Sequence, residues 1–175
     1  MNTPYLETER LILRTFREND AESVYSCWES DEEVSKYMFW ESHSDINKTI
    51  AWIAEEISNI PKENWYRWAI TLKETGDLIG TCLIYYEDEY GEFEVSYNLG
   101  QKYWGFGYIT EALQATLAFA KNELGINKIM GRHAQENPAS GNVLKKLGFK
   151  YTREIPYECN HGKNVYIGNE YVLEM

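Results

Sequence analysis

Apolar and polar positions change period several times along this chain, and each change marks an element. Leu11, Leu13 and Thr15 alternate with Ile12, Arg14 and Phe16, which predicts a first strand. Asn19-Asp20 offers an N-cap for a helix with Ala21, Val24, Cys27 and Trp28 on one face. Asp31 caps a short second piece through Tyr37, and Met38-Phe39-Trp40 follows as an apolar cluster in a loop. That cluster either tucks under the sheet or walls a substrate pocket. Ser44 is an N-cap for a helix whose Ile46, Ile50, Ile53, Ile57 and Ile60 share one face, and Pro61 stops it. This isoleucine stripe reads as core packing.

The period then drops to two. Tyr66 to Leu72 and Leu78 to Tyr86 read as a hairpin across Glu74-Thr75-Gly76-Asp77. A turn from Glu87 to Glu92, with Gly91, leads to a strand from Phe93 to Leu99, completing an antiparallel meander. Helical spacing returns from Thr110 to Leu124 and ends at Gly125; Lys128 to Ala134 is a strand placed parallel by a right-handed crossover. Asn137-Pro138 starts a helix that runs to Leu147 and ends at Gly148. Phe149 to Glu154 and Val165 to Leu173 close the chain as strands around Asn160-His161-Gly162. No repeat or linker interrupts this order. The reading is a single α+β domain over residues 1–175, with a mixed, mostly antiparallel central sheet and helices on both faces.

The chemistry concentrates where the meander meets the long helix, at Lys102-Tyr103-Trp104-Gly105-Phe106-Gly107-Tyr108. Two glycines two apart allow a sharp turn that exposes main-chain N–H groups. Such groups at a helix start, with the positive end of the dipole, suit a pyrophosphate. A dinucleotide fold would place a third glycine where Thr110 stands, and no G-x-x-x-x-G-K-[ST] loop is present. A tight turn without a ligand fits the same residues.

Composition bounds the partners. The 175 residues carry a net charge of −11, which repels nucleic acid and weakly favours cationic partners. Cys27, Cys82 and Cys159 are an odd, scattered set, which points to a reducing compartment without disulfides or a zinc site. Glu7, Glu9 and Arg10 stand where a secretory signal needs an apolar run, and no stretch is long enough to span a membrane. A cytoplasmic protein with no membrane and no metal is expected. Without a coiled-coil pattern, a monomer or a homodimer is expected.

The motifs in order resemble the GNAT superfamily of N-acetyltransferases, and within it the RimJ/RimL-like branch that acetylates ribosomal-protein alanine or serine N-termini. The resemblance rests on Leu6-Glu7-Thr8-Glu9-Arg10-Leu11-Ile12-Leu13-Arg14, Glu94-Val95-Ser96-Tyr97, the glycine turn, Thr110-Glu111-Ala112-Leu113, Asn137-Pro138-Ala139-Ser140 and Lys146-Leu147-Gly148-Phe149. It covers nearly the whole length. It implies acetyl-CoA as cosubstrate, with the amides from Tyr103 through Trp104, Gly105, Phe106 and Gly107 to Tyr108 on the pyrophosphate. Lys102, where the family prefers Gln or Arg, adds a cation. Tyr97 and Leu99 resemble the strand end that pairs its backbone with pantetheine, in the manner of strand addition. Asn137 is an N-cap or a pantetheine ligand. Ser140 is a small helix-start residue, or the donor to the departing thiolate or to the cofactor near sulfur. Leu144 stands where many members carry an acidic tyrosine, and it cannot donate a proton.

The resemblance also makes Glu94 the candidate general base, in phase with Ser96 and Asn98; an outward-facing strand glutamate is the alternative. An α-amine with pKa near 7.7–8.0 costs about 1 kcal/mol to deprotonate at pH 7, against about 4.6 for a lysine. An N-terminal acceptor therefore needs only modest base catalysis. His43, His133 and His161 are isolated from each other and from any cysteine pair, so attack is direct, without an acyl-enzyme. A primary amine acceptor, either a protein N-terminus such as that of a ribosomal protein or a small cationic amine, is expected. A non-catalytic acyl-CoA sensor is the alternative. Acceptor contacts are expected from Met38 to His43, the loop after Tyr86 and the last hairpin, with Tyr157 and Tyr166 in a pocket or in sheet packing.

Overall fold

A computed structural model of all 175 residues shows one eight-stranded sheet in the order β1-β2-β3-β4-β5-β6-β8-β7. β1 (Leu6–Glu7) and β2 (Leu11–Arg14) form a small hairpin at one edge. β3 (Trp65–Leu72), β4 (Leu78–Glu87) and β5 (Glu92–Leu99) make the antiparallel meander, and β6 (Lys128–Ala134) joins β5 in parallel. β7 (Lys150–Cys159) and β8 (Asn164–Glu174) form a long hairpin, with β8 against β6. No helix is long and apolar enough to cross a membrane.

Each face of the sheet carries its own helical layer. α4 (Tyr108–Asn122) and α5 (Pro138–Lys146) lie on one face, where Leu113, Leu117, Phe119 and Leu144 pack onto Leu11, Trp68, Ile84 and Val95. Gly131 permits this closeness: a Cβ there would lie 2.7 Å from Leu144 Cδ2. The other face takes α1 (Ala21–Val24), a π-helical turn (Tyr25–Glu29), α2 (Glu32–Ser35) and α3 (Ile46–Asn59), packed through Val24, Trp28 and Ile53.

Several local readings need correction. Asp20 does not cap the helix after it; its carboxylate pairs with Arg14 at 2.7 and 2.8 Å and accepts the Arg17 N–H. The π-helical turn adds a residue to the turn and carries Trp28 and Glu29 inward together. Asp45, not Ser44, caps α3 through the Asn47 N–H. The isoleucine stripe is not the buried line of α3: Ile53 is buried, but Ile50 is 48% exposed. The buried line is Thr49–Ile53–Glu56, because Thr49 meets His43 at 2.8 Å while Glu56 accepts the Trp65 indole N–H and pairs with Arg67. The long helix starts at Tyr108, two residues before Thr110.

Two predictions follow from this packing. Gly100 lies against Cys27, and a Cβ there would press on Cys27 Sγ and come within 2.8 Å of its carbonyl oxygen. Gly100→Ala is expected to cost about 1–3 kcal/mol and lower Tm by about 2–4 °C per kcal/mol, read by thermal denaturation. Glu29 is buried, which pushes its carboxyl up from the ordinary 4.5 to about 7, against the lowering effect of the Trp28 indole and Arg67. A raised carboxyl favours the folded state below about pH 4.5, and that contribution disappears as pH rises through about 7. His43 Nε2, 3.4 Å from Glu29, offers little compensation because burial pushes its own pKa down. Glu29→Gln should therefore raise Tm relative to the wild type at pH 8 and give no gain at pH 5.

Candidate functional site

The site begins with the parity of a strand. Gly100 N–H donates to Ile79 across the β4–β5 pair, and the register runs unbroken from Gly80↔Leu99 to Glu87↔Glu92. Alternation then aims the backbone of Ser96 and Asn98 at β4, and that of Tyr97 and Leu99 at the opposite side. On that side β6 pairs with β5 only through Phe93↔Ile129, Glu94↔Met130 and Val95↔Gly131. Arg132, His133 and Ala134 pair only with β8. The two strands splay after Val95, and the main-chain groups of Tyr97 face the gap without a strand partner. Leu99 is less free, because its carbonyl accepts the Trp104 indole N–H at 2.9 Å.

The glycine turn follows at the end of β5. Tyr103 N–H donates to Gly100 and Trp104 N–H to Gln101, so these two amides are engaged inside a 3₁₀ turn. The expected span from Tyr103 is corrected here. The N–H groups without an acceptor run from Gly105 to Thr110, and the first helical bond is Glu111 N–H to Gly107. Gly105 and Gly107 hold φ of 83° and 79°, the left-handed region that a side chain resists. The result is a nest of amides at the start of a 15-residue helix. Lys102 is exposed with Nζ over the Tyr103 ring, and no contact joins it to these amides.

Sequence reasoning missed what holds the turn. Glu111 accepts the Thr8 hydroxyl at 2.5 Å, the Arg10 main-chain N–H at 2.8 Å and Arg10 Nε at 2.7 Å. Arg10 also donates to the Phe106 carbonyl at 3.0 Å, with its guanidinium over the Tyr108 ring. Burial would raise the Glu111 carboxyl, but the bonds from Thr8 and Arg10 outweigh it and hold the group below its ordinary value. Both ends of this brace were in the quoted motifs; nothing in hydrophobic periodicity links residues a hundred apart. A cavity of about 660 Å³ opens beside it, lined by Arg10, Gly107, Thr110, Gln114 and Lys146.

Across the gap, Asn137 Oδ1 caps α5 by accepting the Ser140 N–H at a long 3.5 Å. Ser140 meets Tyr97: the phenol lies 2.9 Å from both the Ser140 carbonyl and its Oγ. Leu144, one turn on, is fully buried. These groups share the face of α4 and α5.

Glu94 lies on the opposite face of β5, in phase with Ser96 and Asn98. It is buried rather than outward-facing. Its Oε1 accepts Arg132 Nε at 2.8 Å; its Oε2 accepts the Tyr85 phenol at 2.7 Å and Arg132 Nη2. Arg132 also lies over the Tyr90 ring. Arg132 and Tyr85 come from other strands, and no local pattern links them to Glu94. Oε1 keeps one lone pair free of protein donors. Over this face the Met38–Trp40 cluster divides: Phe39 is 64% exposed, whereas Trp40 packs against the cluster of Val24, Trp28 and Ile53. The last hairpin ties the loop down: Asn160 N–H donates to Met38, His161 N–H to Phe39, and the Asn160 side chain to Ser35 and Trp40. Tyr166 packs edge-on against Tyr37, and Tyr157 stands opposite Tyr166 in the register. Burial pushes Cys82 up to about 12 and Cys159 up to about 11, so neither thiol is a ready nucleophile.

The brace generates one prediction. Glu111→Gln and Arg10→Ala, at a partly exposed pair, should change stability by less than about 1 kcal/mol while weakening coenzyme A binding several-fold. Calorimetric titration checks the affinity; an unchanged Kd in both variants would mean that the turn holds its shape unaided.

Comparison with known proteins gives the family and the fold. The family described as "Acetyltransferase (GNAT) domain" matches residues 10–150. The uncharacterized N-acetyltransferase p20 of Bacillus licheniformis is 35% identical over 83% of this chain and 82% of its own. The uncharacterized N-acetyltransferase YoaA of Bacillus subtilis is 29% identical over 90% and 94%. Among solved structures, the ribosomal α-N-protein acetyltransferase RimL in complex with coenzyme A superposes with a TM-score of 0.85 at 15% identity, over 98% of each chain.

Proposed function

Because the chain belongs to the GNAT family of acetyltransferases, we propose that it moves an acetyl group from acetyl-CoA directly to a primary amine, and that this amine is a protein N-terminus or a small cationic amine. One observation carries the reading. The unpaired amides from Gly105 to Thr110 stand beside the unpaired edge of β5 at Tyr97, so an anion site and a strand-like docking edge adjoin. A pyrophosphate followed by an amide-bearing arm matches both.

When bound, acetyl-CoA supplies the acetyl group as a thioester. Ser140 and Asn137 serve the face of α4 and α5, and the Tyr97 main chain lies along the opening. Glu94 serves the other face, where the amine approaches under the Met38–His43 loop. Glu94 takes the proton from the amine through a water on the free lone pair of Oε1. Arg132 and Tyr85 orient the carboxylate for this. No thiol intervenes, since the buried cysteines stay protonated. A ribosomal-protein N-terminus is the favoured acceptor, because an α-amine needs the least help to lose its proton. The three free cysteines fit a cytoplasmic setting.

An acceptor screen read by mass shift tests the reading. Peptides with free ribosomal-protein N-termini should be acetylated at least about ten-fold faster than N-blocked lysine peptides, and the reverse order excludes the α-amine. Glu94→Gln should lower kcat at least about ten-fold while acetyl-CoA binding is kept. An unchanged pH–rate profile in that variant removes Glu94 from the role.

A further inference from the structure

Tyr97 is the one β5 side chain that reaches α5 across the gap through a hydroxyl. Its phenol has a single proton and two acceptors at 2.9 Å, the Ser140 carbonyl and Ser140 Oγ. If Tyr97 donates to the carbonyl, the serine hydroxyl proton remains available to a third group. Ser140 is then fixed at two points, its N–H by Asn137 and its carbonyl by Tyr97. Leu144, one turn along α5, carries no proton to give and is fully enclosed by the core.

We propose that Tyr97 is a positioning residue for the leaving group: its phenol pins Ser140 across the gap and leaves the Ser140 hydroxyl as a hydrogen-bond donor to the sulfur of coenzyme A, stabilising the thiolate without giving it a proton. The inference rests on the acetyl-CoA reading above and assigns the Tyr97 side chain a role beyond its main chain.

Acid strengths decide between donating a bond and donating a proton. An ordinary thiol has a pKa near 8.5 and a phenol near 10. Burial pushes the Tyr97 phenol higher still, despite the opposing bond to Ser140. Transfer from this pair to a thiolate therefore runs uphill, whereas a hydrogen bond to a charged sulfur is favourable. The balance is closed without it. The C–N bond forms and the C–S bond breaks, the electron pair of the latter stays on sulfur, and the proton released comes from the amine nitrogen through Glu94 to solvent.

The direct test needs no turnover. Coenzyme A bound to the wild type is titrated by the ultraviolet absorbance of its thiolate. Its thiol pKa should fall below that of free coenzyme A. Tyr97→Phe and Ser140→Ala should each raise it by about one unit, and the double variant no further than the larger single. Strictly additive shifts, or an unmoved pKa in Tyr97→Phe, overturn the proposal. If Tyr97→Phe does not fold, Ser140→Ala against Ser140→Thr carries the test: Thr should keep the low pKa and Ala should lose it, and equal values overturn the proposal. Kinetics give a second readout. Tyr97→Phe should slow transfer from acetyl-CoA about ten-fold in kcat, and the loss should shrink with an acetyl thioester of a more acidic thiol. An equal loss with both donors marks Tyr97 as a strut only. Failure of wild-type protein to bind coenzyme A removes the acetyl-transfer reading, whereas binding with an unshifted thiol pKa removes this inference alone.

Discussion

Everything in this molecule turns on main-chain groups that the fold leaves without partners. A strand inside a sheet normally pairs on both sides, because an unpaired N–H or C=O out of water is costly. Here β6 accompanies β5 through Val95 and then follows β8 alone. The main chain of Tyr97 lacks a strand partner, and the amides from Gly105 to Thr110, in the exposed turn that follows and the first turn of α4, have no main-chain acceptor. The sheet thus ends in a slot lined by main-chain donors and acceptors.

A slot of that kind keeps its shape only if its walls are tied elsewhere. Left-handed backbone at Gly105 and Gly107 gives the turn its form, and Arg10 with Glu111 ties that form to the first hairpin. Tyr97 ties the start of α5 to the other wall, and Asn137 caps that helix. The ties are hydrogen bonds to main chain, so they fix backbone positions as well as side chains. This matters in a protein of charge −11, where an anionic ligand gains nothing from long-range attraction and depends on local donors.

The slot also divides the labour by face. Alternation along β5 sends Tyr97 toward α5 and Glu94 toward the layer of α1 to α3. In the reaction proposed above, departing and arriving groups are met from opposite faces of the sheet. On the arriving side a band of charged and aromatic groups, from Glu29 and His43 through Glu56, Arg67 and Trp65 to Tyr85, Glu94 and Arg132, lies beneath the loop that Asn160 holds down. Glu56 and Glu94 are tolerable as buried charges because each meets an arginine, whereas Glu29, without such a partner, is pushed toward its neutral form.

Much of this was readable in advance because it is local. The meander, the crossover, the Asn137-Pro138 helix start and the glycine turn are set by neighbours in sequence, whose spacing and backbone preferences act before any distant contact forms. So the fold, the family and the position of the glycine turn were determined by the sequence itself. Contacts between distant residues were decided only by the tertiary structure. Which amides stayed free depended on where the 3₁₀ turn closed, so Tyr103 and Trp104 dropped out and Thr110 came in. Which line of α3 was buried depended on Arg67 and His43, so Thr49 and Glu56 displaced Ile50. The partners of Glu94, Glu111 and Ser140 arrive from other strands and helices. A one-dimensional pattern records how often a residue faces inward, and it holds no record of what it will meet there.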